Sequence, residues 1–245
     1  MEPFLTRDGR YLLFNNSNDP KVNTNLHYAE RMDELSFEYR GEIGGVNTSA
    51  LEGVPSLDRQ GTFYFVSTRS YNETLSTLYR GKWSNGRVAD VGLVSGVSKK
   101  QPGALNFDAE ISADGNTLYF VDGVFTGGPV PKAGDIAVAV RDGAGFRRLE
   151  RSAELFAGVN TDRLEYAPAT STDELELFFT RLDVNHRHIG IYRAARARVT
   201  VPFEPPQRIG AITGFVEAPT LSPDGKALYY HKKDGGRYVI YRVTR

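Results

Sequence analysis

The residue types that most readily carry out acid–base chemistry recur at matching places in this chain of 245 residues. Two carboxylates, Glu52 and Glu165, each follow a Gly-Val-Asn-Thr segment. Paired carboxylates act as acid and base in glycosidase-like sites, and their separation decides whether they can. Arg69, Arg181 and His231 complete a candidate catalytic set, since an imidazole suits proton transfer near neutral pH. The alternative is that each glutamate caps backbone amides or pairs with Arg or Lys between repeats.

A second set of polar side chains is suited to holding a ligand. Carboxylates, amides, a phenol and an ammonium group together offer both hydrogen-bond donors and acceptors. The set comprises Asn47, Asp108, Glu110, Asp122, Asn160, Tyr166, Glu217 and Lys232. We expect these side chains to line one polar pocket for a small polar molecule, a glycan or a peptide.

One short segment has the spacing of a metal site. Asp183, His186 and His188 form Asp-x-x-His-x-His, and a carboxylate with two imidazoles can bind zinc or another divalent ion. The alternative is a solvated polar loop. Calcium or manganese is a further candidate, because these ions prefer the oxygen ligands that recur here, although no contiguous calcium loop is present. The chain has no cysteine, which excludes disulfides, thiolate metal sites and a cysteine nucleophile.

Motifs of several common enzyme classes are missing. The sequence contains no Gly-x-Ser-x-Gly elbow of serine hydrolases, no P-loop and no Rossmann glycine pattern. A candidate reaction therefore has to come from the carboxylates, arginines and histidine named above. A hydrolase or lyase, with or without the help of a metal ion, is the enzyme class that they favour.

The elements that must position these residues are repeats. A Pro or Ala, a small polar residue, an Asp-Gly-type turn and a Leu-Tyr-Phe strand return five times, as in DAEISADGNTLYF and APTLSPDGKALYY. Their anchors are spaced by 52, 54, 59 and 51 residues, at Pro3, Pro55, Ala109, Pro168 and Pro219. A period of this size in a chain of short strands predicts an all-β, five-bladed β-propeller with one blade per repeat.

Each repeat divides into four strand-like runs separated by turn residues. In the first repeat the runs are Phe4–Thr6, Tyr11–Asn15, Leu26–Glu30 and Phe37–Ile43. The fifth repeat shows three runs, so we expect a last blade that lacks its outer strand and leaves an open edge. The whole chain forms one domain, with blades at about 1–46, 47–98, 99–158, 159–212 and 213–245.

Composition narrows the classes of partner. Lys plus Arg and Asp plus Glu both number 30, which argues against a broad surface for nucleic acid or membrane. No apolar run approaches the roughly 18 residues that a membrane helix needs. We expect a soluble monomer whose partner is a small molecule, glycan or peptide.

These repeats resemble the PD40 family, the WD40-like repeats of TolB-type propellers. The resemblance rests on GVNTSALEGVPSL from Gly45, GVNTDRLEYAPAT from Gly158 and EAPTLSPDGKALYY from Glu217, and it covers nearly the whole chain. Gln60 replaces the turn Asp, and Asp173-Glu174 replaces Asp-Gly. The resemblance implies a propeller and an exported or periplasmic bacterial protein.

Three functions follow from this resemblance and from the residues. The first is a binding module that holds a small polar ligand in the central funnel. The alternative is a hydrolase or lyase with its active site in the same funnel, and the third is a protein-interaction scaffold that uses the blade rims.

Overall fold

The computed structural model describes residues 1–17, 21–128, 130–183 and 188–245. Its strands fall into five antiparallel groups, here called units 1 to 5. Unit 1 contains β1 (Phe4–Leu5), β2 (Tyr11–Asn15), β3 (Leu26–Arg31) and β4 (Phe37–Glu42). Unit 2 contains β5 (Glu52–Leu57), β6 (Thr62–Ser67), β7 (Leu78–Ser84) and β8 (Arg87–Leu93). Unit 3 contains β9 (Ala104–Ile111), β10 (Thr117–Val124), β11 (Ala133–Asp142) and β12 (Gly145–Arg148).

The remaining two units follow the same order. Unit 4 contains β13 (Leu164–Thr170), β14 (Glu176–Asp183), β15 (His188–Ala195) and β16 (Gln207–Arg208). Unit 5 contains β17 (Val216–Leu221), β18 (Ala227–Asp234) and β19 (Arg237–Thr244). Two four-residue helices, α1 (Tyr71–Thr74) and α2 (Ser152–Leu155), lie between strands. No helix in the described ranges is long and apolar enough to span a bilayer.

The strands follow one another within each unit in the order of the predicted strand-like runs. Units 1 and 2 are separate four-stranded sheets, and unit 5 has three strands within the described residues. Units 3 and 4 differ from the prediction of separate blades, because a parallel pairing of Gly134 with Leu164 joins them into one sheet.

The core lies between units. One apolar cluster joins units 2 and 3 through residues such as Tyr64 and Phe120, and equivalent clusters lie between the other consecutive pairs. A fifth cluster packs Leu5 and Leu12 of unit 1 against Ala227 and Tyr229 of unit 5. Doubled aromatics on the second strands thus serve packing on both faces of each strand.

A residue in the left-handed backbone region lies in the first strand of units 2 to 5 and two residues before β1 in unit 1. The φ angles lie between +47° and +54° at Glu2, Val54, Asp108, Ala167 and Ala218. In units 2 to 5 this residue and its successor oppose a single residue of the second strand, which is a β-bulge. The bulge interrupts the alternation of side chains along the strand, and it falls where the candidate acidic residues lie.

Candidate functional site

Asn47 and Asn160 lie between units and bind backbone. The Asn47 carboxamide accepts a hydrogen bond from the Leu26 N–H at 2.7 Å and donates to the Leu26 carbonyl at 3.0 Å. Asn160 does the same with Ile136, at 3.0 and 2.9 Å. Each asparagine therefore ties the start of one unit to the third strand of the unit before it.

Glu52 and Glu165 follow these asparagines and are fully buried, at 0% exposure. Glu52 accepts hydrogen bonds from the Thr48 N–H at 2.8 Å, the Thr48 hydroxyl at 2.7 Å and the Ser67 hydroxyl at 2.7 Å. Its ion pair with Arg69 spans 3.2 Å. These partners occupy both oxygens of the Glu52 carboxylate.

Unit 4 repeats this arrangement. Glu165 accepts from the Thr161 N–H at 2.9 Å and the Thr161 hydroxyl at 2.7 Å, and Arg181 Nε donates to it at 2.6 Å. Arg181 also donates to the Val159 carbonyl at 2.6 Å. We call each set of Asn, Thr, Glu and Arg a clamp, and we infer a structural role for both clamps. The catalytic role of Glu52, Glu165, Arg69 and Arg181 stays a sequence-based prediction.

Glu217 lies in a different environment, between a phenol and an imidazole. The Tyr166 hydroxyl donates to Glu217 Oε1 at 2.5 Å, and His231 Nε2 lies 2.9 Å from Oε2. The backbone N–H of Glu2 donates to His231 Nδ1 at 2.9 Å. Because Nδ1 accepts this bond, Nε2 carries the proton of the neutral ring and donates to Glu217.

Asp108 brings a third carboxylate to the same place. It accepts a hydrogen bond from the Ala167 N–H at 2.9 Å. Burial, followed by the charges of Glu2 and Glu217, raises the pKa of Asp108 well above its usual range. Burial and the Glu217 carboxylate likewise raise the pKa of the Tyr166 phenol. We call Glu2, Asp108, Tyr166, Glu217 and His231 the acidic centre.

The acidic centre lies beside a small cavity between the first strands. The cavity has a volume of about 30 Å³, which is room for about one water molecule. It is lined by corresponding residues of all five units: Glu2, Pro3, Phe4, Val54, Pro55, Asp108, Ala109, Glu110, Ala167, Pro168, Ala218 and Pro219. A ligand larger than water would therefore have to approach the acidic centre from outside this cavity.

Register explains why similar acidic residues divide between the clamps and the acidic centre. Glu52 and Glu165 stand two positions before the left-handed residue, whereas Glu217 stands one position before it. Successive residues of a strand point to opposite faces, so this offset of one reverses the side chain. Tyr166 shares the Glu217 position in its own unit, and Asp108 is itself the left-handed residue.

Glu110 lies two residues beyond Asp108, and its partners differ from those of the acidic centre. Arg7 donates to it at 3.0 Å, and the Thr170 N–H donates at 3.0 Å. Burial raises the pKa of Glu110 despite the opposing effect of Arg7. The sequence analysis did not select Arg7. Arg7 occupies the first turn of unit 1, as Arg59 does in unit 2, and this repeated position is the sequence feature that could have identified it.

Asp122 and Lys232 are not part of the acidic centre. Asp122 accepts from Asn106 at 2.7 Å, pairs with Lys99 at 3.0 Å and bonds to Arg148, which the sequence analysis did not select. These contacts border a cavity of about 150 Å³ in unit 3. Lys232 Nζ lies 5.5 Å from the centre of the Tyr241 ring.

The predicted metal site is only partly described. Asp183 pairs with Arg163 at 3.3 Å, and the backbone of His188 is paired with that of Asp183. His186 lies outside the described residues. Among the residues that the structure does describe, no three His, Asp or Glu side chains have an arrangement that could hold a metal ion. The zinc, calcium and manganese predictions stay predictions.

Comparison with known proteins gives the fold. No protein-family model and no curated protein matches this sequence. TolB from Acinetobacter baumannii aligns with a TM-score of 0.53 and 16% identity, over 100% of this chain and 51% of TolB. This chain thus spans about half the length of the TolB structure.

Two enzymes align over most of both chains. A glycoside hydrolase has a TM-score of 0.66 and 12% identity, over 99% of this chain and 86% of its own. An endo-arabinase from Bacteroides thetaiotaomicron has a TM-score of 0.57 and 10% identity, over 100% and 93%. These neighbours are β-propellers, and at such identities the likeness shows the fold and no activity.

Proposed function

We propose that this chain is a PD40-type propeller of five blades, closed between units 5 and 1. The apolar cluster of Leu5 and Tyr229 supports closure. The Leu5 N–H donates to Thr220 Oγ1 at 3.3 Å, as the Ile111 N–H donates to Ser56 Oγ at 2.8 Å between units 2 and 3. The contact between the last and first units therefore repeats the contact between consecutive units.

The proposed function is binding of a small polar ligand at the acidic centre. The observation that carries it is the meeting of Glu2, Asp108 and Glu217, which come from three different units. Within the described residues, neither Asp108 nor Glu217 forms an ion pair with Arg or Lys. Asp108 and Glu217 therefore favour a ligand that brings amine or hydroxyl donors, such as a peptide amine or a glycan.

A hydrolase or lyase at the same centre is the second candidate. The raised pKa of Asp108 favours its protonated form, which a general acid needs, and two other carboxylates lie beside it. Acid–base catalysis by a pair of carboxyl groups requires that they differ in protonation in this way. The glycoside hydrolases among the structural neighbours fit this candidate without demonstrating it. Export to the periplasm, a monomeric state and use of the blade rims for partners are further proposals.

The test uses Glu217→Gln and Asp108→Asn, with Asp122→Asn as the matched control, because Asp122 is an acid outside the centre. Binding of a panel of amines, peptides and oligosaccharides is measured by calorimetry, and hydrolysis of aryl glycosides is followed in parallel. We expect the two centre variants to lose binding while the control retains it. Binding that survives both centre variants would refute the proposal, and turnover lost with them would favour the enzyme.

A further inference from the structure

The ends of the first strands away from the acidic centre border a second, larger cavity. Its volume is about 380 Å³, within the range of small-molecule sites. The first-hairpin turns of units 4 and 5 form most of its wall, and Arg7 from the first turn of unit 1 completes it. We call it the turn-side cavity.

Arg7 is a buried polar group of this wall. Its side chain is 9% exposed, and Nη2 donates to Glu110 at 3.0 Å and to the Ile111 carbonyl at 2.8 Å. Arg7 Nε is buried and has no hydrogen-bond partner among the described residues. A buried donor left unpaired costs about 1–3 kcal/mol, so a ligand oxygen that reached it would be favoured.

Two carboxylates stand in the same wall. Asp173 Oδ1 accepts from the Ser171 hydroxyl at 2.6 Å and from the Leu175 N–H at 3.1 Å. Asp224 Oδ1 accepts from the Ser222 hydroxyl at 2.6 Å and from the Lys226 N–H. In each case Oδ1 makes the turn contacts, and Oδ2 makes no hydrogen bond within the described residues.

The other two charged groups that line the cavity, Glu176 and Arg245, are paired with each other. Arg245 holds both oxygens of Glu176 at 2.7 Å, and Arg193 donates to the same carboxylate at 2.6 Å. The groups left for a ligand are therefore the Arg7 donor, the two Oδ2 acceptors and Thr170 Oγ1, which is buried and has no hydrogen-bond partner within the described residues. The two carboxylates disfavour an anion. The Arg7 guanidinium is already paired with Glu110, so what it lacks is an acceptor for Nε, and a ligand that suits this wall must bring acceptors as well as donors.

We propose that the turn-side cavity binds a neutral polyhydroxylated molecule of the size of a mono- or disaccharide, through Arg7, Asp173 and Asp224. Sugar hydroxyls both donate and accept, so one molecule can satisfy the guanidinium and both carboxylates. This inference is independent of the ligand proposed for the acidic centre, because the two sites share none of these three residues.

The experiment titrates the intact chain with D-glucose, D-galactose, L-arabinose, lactose and sucrose by saturation-transfer NMR and calorimetry. Inorganic phosphate and putrescine are the charged probes. Thr172→Trp places a large side chain at an exposed residue of the cavity wall without touching the core. Arg7→Gln removes the buried donor, and Arg59→Gln is its matched control at the exposed, corresponding turn position of unit 2.

We expect saturable binding of at least one of these sugars, with at least a tenfold loss of affinity in Thr172→Trp and Arg7→Gln. Arg59→Gln should bind as the unmodified chain does. Thr172 lies outside the acidic centre, so a loss of sugar binding in Thr172→Trp separates this site from that centre. If Arg7→Gln fails to fold, the sugar affinity of Thr172→Trp alone tests the proposal. Absence of sugar binding up to about 100 mM, far above a millimolar Kd, refutes the proposal. Sugar binding that persists in Thr172→Trp, or saturable binding of phosphate or putrescine alone, also refutes it.

Discussion

His231 Nδ1 accepts a hydrogen bond from the backbone N–H of Glu2 at 2.9 Å, although 229 positions separate the two residues. Through Nε2 the same ring holds Glu217. Thr180 occupies the equivalent place in unit 4, where its hydroxyl accepts from the Ala218 N–H at 3.0 Å. The imidazole thus joins units 5 and 1 in the way that a threonine joins units 4 and 5.

This relationship predicts the effect of substituting His231. His231→Ala removes the acceptor of the partly buried Glu2 N–H and should lower the free energy of unfolding by about 1–3 kcal/mol. His231→Asn supplies a carbonyl acceptor and should recover part of the loss. Urea unfolding of both variants, with Thr180→Val as the parallel case, measures this. Equal stability of the Ala and Asn variants would contradict the closure role.

The raised pKa of Asp108 predicts a pH dependence of stability. A carboxyl whose pKa is higher in the folded state favours folding when protonated, so its contribution is lost as pH rises above its ordinary value, near 4. Asp108→Asn keeps an oxygen for the Ala167 N–H without the charge. We expect this variant to be more stable than the unmodified chain at pH 7, by about 1 kcal/mol or more. The difference should vanish near pH 4 in urea unfolding, and a constant difference would contradict it.

The clamps predict that Glu165 matters first for stability. Removing one partner of a buried ion pair costs about 3–5 kcal/mol, because the other charge is left buried alone. Glu165→Ala should therefore lower the melting temperature strongly, and Arg181→Met should do the same. A Glu165→Gln variant with an unchanged melting temperature but lost turnover on an active substrate would instead restore the catalytic interpretation.

Glu176 predicts a loss of stability in acid. Hydrogen bonds from Arg245 and Arg193 lower the pKa of Glu176 to about 2. A lowered pKa favours the ionised folded form above the ordinary value of 4.5, and this contribution is lost as pH falls from 4.5 towards 2. The side chains of both arginines are about half exposed, so screening limits the effect to about 1 kcal/mol. Urea unfolding of Glu176→Gln at pH 7 and pH 3 should show a smaller loss than the unmodified chain.

The left-handed residues predict an unusual response to glycine. Ala218 has a φ of +54°, which glycine adopts without the steric cost borne by alanine. Ala218→Gly should therefore be neutral or stabilising by up to about 1 kcal/mol. Ala169→Gly, at a buried strand position without positive φ, should be destabilising by about 1 kcal/mol. Thermal melts of the two variants test the contrast, and equal losses would contradict it.

The repeat spacing was enough to predict the strand groups, because turns and alternating strands are local features. The run Tyr11–Asn15 was predicted with the bounds that the structure has. The allocation of the acidic residues was not predictable in this way. Glu52 and Glu217 both lie in a Pro-containing first strand, but their registers differ by one. Only the strand pairing shows which of them belongs to a clamp.

Contacts between distant units explain what else the sequence did not reveal. Arg7 reaches Glu110 across 103 positions, and neither residue has a local pattern that indicates the other. The clamps were visible as repeated Gly-Val-Asn-Thr segments, but their meaning depends on a third strand in the preceding unit.

At the bulge in the first strands the backbone conformation is the same in each of units 2 to 5, whereas the side chain just before the left-handed residue varies. The residue just before the left-handed position is Gly53, Phe107, Tyr166 or Glu217 in units 2 to 5, on one unchanged backbone. Duplication of a single ancestral unit, followed by drift at this one position, would have been enough to build a mixed set of side chains around an axis. At two of these places the side chain also packs against a cluster between units, as Phe107 and Tyr166 do, so new chemistry there would have to preserve those contacts.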